Sequence, residues 1–318
     1  MNNRPTTLEE KAKYLKEKQA LIPKKHFINA NEKLDSIIDI AKNGFPKGYN
    51  VDIFEIHNKI RLHNGNLIVI TGYSFHGKSH LVEQMLCSLM CNYKLKVGYY
   101  AAEAQTKITF MRSIEIILGG QIRNLDLNLI AETSKFLNDK MYVINSDNGL
   151  LTQQELFNHI KIAFSMENVD FFLIDNASTI SDLATDNKEQ IKDFLNELNV
   201  IKKTYNKSIF IVAHPTKPSG KAELIDGYKI SGAAEWFNLA DVGMTVFRDD
   251  NDSTLYVWKC KNYWEGTTCK IQLNFNYESR RFYGAINNTT PMLKFAPAKH
   301  QIPTVSIDLT EFDDDTPF

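Results

Sequence analysis

The segment that most limits what this chain can become is LIVIT-GYSFHGKS-HLVEQMLCSLM, residues 67–90. A short apolar run ends at Gly72, and after four intervening residues Gly77-Lys78-Ser79 opens a more mixed, helix-like run. That spacing between a strand and a helix is the pattern of a phosphate-binding loop. Glycines let backbone N–H groups curl around an oxygen-rich anion. Lys78 would neutralise β- and γ-phosphates, and the Ser79 hydroxyl suits Mg²⁺. The helix N-terminus adds favourable potential. Gly72, Gly77, Lys78, Ser79 and the following His80 are therefore assigned to binding ATP, or another nucleoside triphosphate, with Mg²⁺. The bland alternative is an ordinary glycine turn; strand, GKS and helix together argue against it.

The surrounding pattern says what carries this loop. Apolar strands KVGYYAA (Lys96–Ala102), MYVI (Met141–Ile144), VDFFLID (Val169–Asp175), SIFIVA (Ser208–Ala213) and VGMTVF (Val242–Phe247) recur along the chain. Helical patterns run to Asn92, to Leu118, over Gln153–Met166 and over Lys188–Tyr205. Such alternation predicts an α/β fold, a mostly parallel sheet with helices on both faces. Ligands then gather beyond the C-terminal strand ends. LYVWKC, KIQLNF and RRFYG, separated by short turns, predict a C-terminal antiparallel hairpin extension of the same sheet. Three parts are expected: an N-terminal helical docking segment over 1–50, with helices Leu8–Leu21 and Asn31–Lys42; the α/β core over 51–286; and a tail over 287–318 with Pro291, Pro297, Pro303 and an acidic end.

No apolar run approaches the roughly 20 residues of a membrane span, so no membrane partner is expected. The N-terminus lacks the apolar core of a secretion signal, which points to the cytoplasm. Cys87 and Cys91 sit in an apolar helical pattern and read as small core residues. The net charge of −1 announces no nucleic-acid binder, so any positive surface must be local.

Three more residues stand at strand ends. Asp175 closes VDFFLID, where a carboxylate can hold Mg²⁺ and its waters. Glu103 follows KVGYYAA, placed to polarise an attacking water; surface glutamates are common, so it gains weight only beside the other motifs. His214 ends SIFIVAHP and could donate to the γ-phosphate, or simply cap the strand. Directly after it, TKPSGKAELIDGYKISG carries Lys217, Lys221 and Lys229 among glycines and a proline, a composition basic enough to touch nucleic-acid phosphates, although an unengaged surface loop would look similar.

Together these segments resemble the RecA-like motor domain of the replicative hexameric DNA helicases of the DnaB/Twinkle type, over roughly residues 50–285. Gly72–Ser79 matches the first nucleotide motif. AAEAQTKITFMR, with Glu103, matches the motif whose glutamate is the catalytic base. LIDNAST, with Asp175 and Asn176, matches the magnesium-binding strand end. VAHPTKP, with His214, matches the histidine–proline form of the switch motif. The resemblance implies a RecA-like P-loop NTPase core, a homo-hexameric ring around single-stranded DNA, and ATP with Mg²⁺ between neighbours. It further implies an ATP-dependent replicative helicase moving 5′-to-3′ in a bacterial or phage-infected cell. One departure concerns the family's trans-acting Lys-x-Arg pair. In WKCKNYWEGTTCKIQLNF, alignment on Gly266 puts Lys261 at the lysine and Tyr263 at the arginine; another register offers Lys259 and Lys261. Lys261 is taken as the catalytic trans charge, though lysine lacks the bidentate fork of arginine. Arg248, near a strand end, is a further candidate.

The end EFDDDTPF is similar to the acidic tip of bacterial single-stranded-DNA-binding proteins. That similarity implies docking of replication or repair proteins through Asp313, Asp314, Asp315, Pro317 and Phe318; a solubilising tail is the plain alternative. Two other functions compete with the helicase: a RecA-like recombination or repair ATPase, and a slow nucleotide-gated adaptor recruiting replication proteins through the tail.

Overall fold

The computed structural model describes residues 28–216, 223–232, 234–249 and 252–284, together with Thr7, Glu10, Lys11, Lys13 and Tyr14. Lys217, Lys221, the acidic tip with Asp313, Asp314, Asp315, Pro317 and Phe318, and most of the expected Leu8–Leu21 helix lie outside the described residues.

Helix α1 (Leu34–Asn43) buries none of its residues and exposes Leu34, Ile37 and Ile38. A single turn, α2 (Phe54–His57), leads to β1 (Leu67–Thr71), whose five residues are all buried. Strand side chains alternate between faces, so an unbroken apolar run requires cover on both. Ile68 and Ile70 pack into one apolar cluster and Leu67 and Val69 into the other. The first cluster lies under α3 (Lys78–Tyr93), α4 (Thr106–Leu118) and α5 (Leu127–Lys140). The second lies under α6 (Gln153–Ser165) and α7 (Lys188–Tyr205). Helix starts are written in the sequence: Asp126, Thr152 and Asn187 cap α5, α6 and α7, Thr152 through a capping box with Glu155.

The remaining strands are β2 (Val97–Tyr100), β3 (Met141–Val143), β4 (Phe171–Ile174), β5 (Ser208–Val212), β6 (Val242–Asp249), β7 (Asp252–Cys260), β8 (Cys269–Asn276) and β9 (Arg281–Gly284). A short helix, α8 (Glu235–Leu239), precedes β6. Strand order among the described residues is β3-β2-β4-β5-β1-β6-β7-β8-β9. The first six strands run parallel and β6 to β9 pair antiparallel, so the expected hairpin extension is part of one sheet. This order sets the C-terminal ends of β2, β4, β5 and β1 side by side.

The opposite end of the parallel strands holds a buried charge cluster. Asp241, just before β6, accepts from the Leu67 N–H at 2.9 Å and from Lys261 at 3.1 Å, and is paired with buried Lys202 of α7. Lys202 also donates to the Gly65 carbonyl at 2.9 Å. Burial works to raise the Asp241 carboxyl, but the Leu67 N–H and the two lysines overcome it and hold it below the usual range. Removing one partner of such a pair leaves a buried charge uncompensated. Asp241→Ala is expected to lose about 3–5 kcal/mol in urea denaturation, and Asp241→Asn combined with Lys202→Met is expected to recover more than half of that.

Candidate nucleotide site at the strand ends

After β1 the chain turns through Gly72 at φ +140°, where a Cβ would lie 2.2 Å from the Val246 carbonyl oxygen. At Gly77, φ is +90° and a Cβ would meet the Phe282 ring at 2.8 Å. Only glycine fits either position. Between them Phe75 stands 97% exposed at the crest of the loop. Lys78, 6% exposed, folds back and donates to the Tyr73 carbonyl at 2.8 Å, across its own loop. Burial lowers its pKa, with the Asp175 and Glu103 carboxylates acting the other way. The loop therefore holds an ammonium inside a ring of backbone, poised for an anion.

Asp175 follows β4 and is buried. Burial raises its pKa; a hydrogen bond from Ser79 opposes that, as do Arg112 and Lys78. Its Oδ1 has no hydrogen-bond partner. A buried carboxylate oxygen left open beside a serine hydroxyl is a hard oxygen pair of the kind Mg²⁺ takes, so Ser79 and Asp175 fit the ion. Behind them Arg112 of α4 lies 3.0 Å from the fully buried Glu83 of α3. Burial pushes the Glu83 carboxyl up to about 8 despite Arg112.

Glu103 lies just beyond β2 and His214 just beyond β5. Asn176, wholly buried next to Asp175, joins them: its Nδ2 donates to Glu103 Oε1 and lies 2.8 Å from His214 Nε2. His214 Nε2 is itself 3.4 Å from Glu103 Oε1. The segment after His214 is closed at its base, because Pro215 bridges Ile230 and the Ser231 N–H donates to the His214 carbonyl at 3.1 Å. Lys229 is exposed at this base, in the turn Gly227–Lys229.

On the other flank of the loop lies a concave surface formed by His76, Gly77, His80, Arg248, Phe275, Tyr277, Arg280 and Phe282. Arg248 donates from its backbone to His76 Nδ1 at 2.9 Å and from its guanidinium to the Tyr277 hydroxyl at 2.8 Å. It thus faces its own glycine loop. His80 points to this side and not toward Asp175: its Nε2 lies 2.6 Å from the Arg280 carbonyl and its ring meets Phe275 edge-on at 5.0 Å. Aromatic faces and a guanidinium beside a phosphate loop suit a nucleoside base. Sequence reasoning missed this pocket because its parts come from segments about two hundred residues apart.

Lys261 follows β7, at the end of the sheet away from its own loop, with its side chain 58% exposed and paired with Asp241. Lys259 is committed elsewhere, donating to the Phe237 and Asn238 carbonyls at 2.6 and 3.0 Å at the end of α8. Tyr263 packs edge-on against Phe45 and Trp264.

A glycine loop after the central strand of this sheet, with carboxylates at the ends of β4 and β2 on the same side, defines a RecA-like P-loop α/β fold. No protein-family model matches the chain. The Twinkle homolog protein, chloroplastic/mitochondrial, of Arabidopsis thaliana is 23% identical over 239 residues, covering 70% of this chain and 33% of the relative. The chain therefore spans about a third of that curated relative's length. Among solved structures, one ATPase domain superposes with a TM-score of 0.66 at 12% identity, over 80% of this chain and 98% of that one. A DnaB-like replicative helicase, solved with its interactions with primase, superposes at 0.63 and 12% identity, over 86% and 71%. The chain is thus a RecA-like domain similar to those of DnaB/Twinkle-type helicases.

Burial drops the His80 pKa from 6.5 to about 4. The unfolded chain therefore takes up this proton first as pH falls. The stability His80 contributes at neutral pH is lost between about pH 6.5 and 4. Denaturant midpoints measured across that window should fall less steeply in His80→Gln than in wild type.

Proposed function

We propose that this chain is an ATP-hydrolysing motor that moves along single-stranded DNA and unwinds duplex as a replicative helicase, working as a ring of identical subunits with 5′-to-3′ polarity. The observation that carries this reading is the meeting of Lys78, Ser79, Asp175, Glu103 and His214 at four adjacent strand ends, with Pro215 and Ile230 bridged just beyond His214. Gly72–Ser79 binds the triphosphate, and the pocket of His80, Arg248, Phe275 and Tyr277 takes the base. Ser79 and Asp175 hold Mg²⁺, which supplies charge neutralisation of the phosphates when bound. Glu103 orients and polarises the attacking water. His214 contacts the terminal phosphate and transmits its loss to the loop carrying Lys217, Lys221 and Lys229. Lys261 serves a neighbouring subunit's nucleotide: it is exposed, whereas Lys259 is occupied by the α8 carbonyls. The acidic tip Asp313–Asp315 with Pro317 and Phe318 is assigned to docking replication or repair proteins.

A second reading has its own observation. Neither Lys261 nor Tyr263 offers the bidentate fork of an arginine, which favours slow turnover and a nucleotide-gated adaptor. ATP hydrolysis with and without single-stranded DNA separates the two. The motor reading expects strong stimulation; a wild-type protein that ignores DNA supports the adaptor. Glu103→Gln should lower kcat by about 10²–10⁴-fold with little change in KM.

Trans action has a separate check. Lys78→Ala and Lys261→Ala subunits, each inactive alone, should regain turnover when mixed, because an intact Lys78 site then meets an intact Lys261. No recovery on mixing would place Lys261 outside the neighbour's site.

A further inference from the structure

We propose that Asn176 is a positioning residue that couples the base to the sensor: one amide sets the orientation of Glu103 and selects the tautomer of His214. The inference rests on the reading of Glu103 as base and His214 as phosphate sensor, and it adds a residue that neither role requires.

The orientation of the Asn176 amide follows from its neighbours. The Ser178 backbone N–H donates to Oδ1 at 2.9 Å, and the Ser178 hydroxyl donates to the same oxygen. A backbone N–H can only donate, so this atom is the amide oxygen and Nδ2 faces the other way. Nδ2 has two hydrogens. One reaches Glu103 Oε1, and the other points at His214 Nε2, 2.8 Å away. Every hydrogen-bonding position of the amide is then used.

Two consequences follow for the side chains it touches. His214 Nε2 accepts a hydrogen bond, so the ring carries its proton on Nδ1, turned away from Asn176 and available to an anion. Glu103 Oε1, 3.4 Å from that same Nε2, shares no hydrogen with it in this arrangement; its tie to the ring runs through Asn176. The amide is the fixed element, being fully buried, while the side chains of Glu103 and His214 are 53% and 34% exposed. A displacement of His214 on loss of a phosphate contact therefore pulls on the amide that also holds Glu103.

The test uses the full chain labelled with ¹⁵N only in histidine. Eight histidines are present, and His214 is assigned by its disappearance in His214→Ala. Wild type should show an unprotonated Nε2 and a protonated Nδ1. Asn176→Ala removes the donor, and the tautomer preference should be lost. The nearly isosteric Asn176→Asp replaces the donor with an acceptor and should move the proton to Nε2, a readout that survives if Asn176→Ala does not fold. In hydrolysis assays both variants should keep KM for ATP near wild type while the ratio of DNA-stimulated to basal kcat drops by about 5-fold or more. An unchanged His214 spectrum in Asn176→Asp, or an unchanged stimulation ratio in a folded variant, overturns the inference. If Glu103→Gln and His214→Ala themselves retain full turnover, the underlying base-and-sensor reading fails instead.

Discussion

Asp175 is buried with one carboxylate oxygen unpaired. Leaving an acceptor in that state costs about 1–3 kcal/mol, more for a charged group. The rest of the site reads as the arrangement that makes the cost useful. Ser79 covers part of the carboxylate, Lys78 lies close enough to act on it, and Arg112 adds fixed charge behind it. The open oxygen suits a cation, and it stands beside a glycine loop shaped for an anion. The pairing of an open, buried carboxylate oxygen with a glycine loop is what supports the proposal of a magnesium–triphosphate site.

The sheet separates two kinds of chemistry. At the C-terminal strand ends stand Lys78, Asp175, Glu103 and His214. At the opposite end of the parallel strands, Asp241 balances the buried Lys202 and only partly occupies Lys261. One carboxylate against two ammonium groups leaves this cluster with excess positive charge, and Lys261 is the exposed member. That exposure is what supports the proposal that Lys261 acts on a neighbouring subunit.

How legible was this in the sequence? The strands were, because LIVIT, VDFFLID and SIFIVA are apolar without alternation, and such runs are buried on both faces of a parallel sheet. The phosphate loop and Asp175 were equally plain, since each is local: spacing and context lie within a single strand–turn segment. Helix α5 was not anticipated, because Leu127–Lys140 is a weakly patterned run whose start is signalled by little more than the cap at Asp126. The concave surface beside the glycine loop was hidden for a different reason. Phe275, Tyr277 and Phe282 belong to short strands of the hairpin extension and the turn between them, and only the closing of β6 to β9 onto the sheet carries them to His76 and His80. Asn176 stands in LIDNAST without a task legible there, since an amide shows its value only when its donors and acceptors are traced in three dimensions. Lys261 belongs to both registers that the sequence allows, and the α8 carbonyls occupy Lys259, the other member of the second.

The central claim is that Lys78, Ser79, Asp175, Glu103 and His214 surround one triphosphate. The most direct measurement is an experimental structure of the protein with Mg²⁺ and a non-hydrolysable ATP analogue. The account predicts the ion on Ser79 and Asp175, the terminal phosphate against Lys78 and His214, and Glu103 within one bridging water of it. An analogue bound elsewhere, or Glu103 and His214 turned away from the phosphates in the assembled protein, would contradict it.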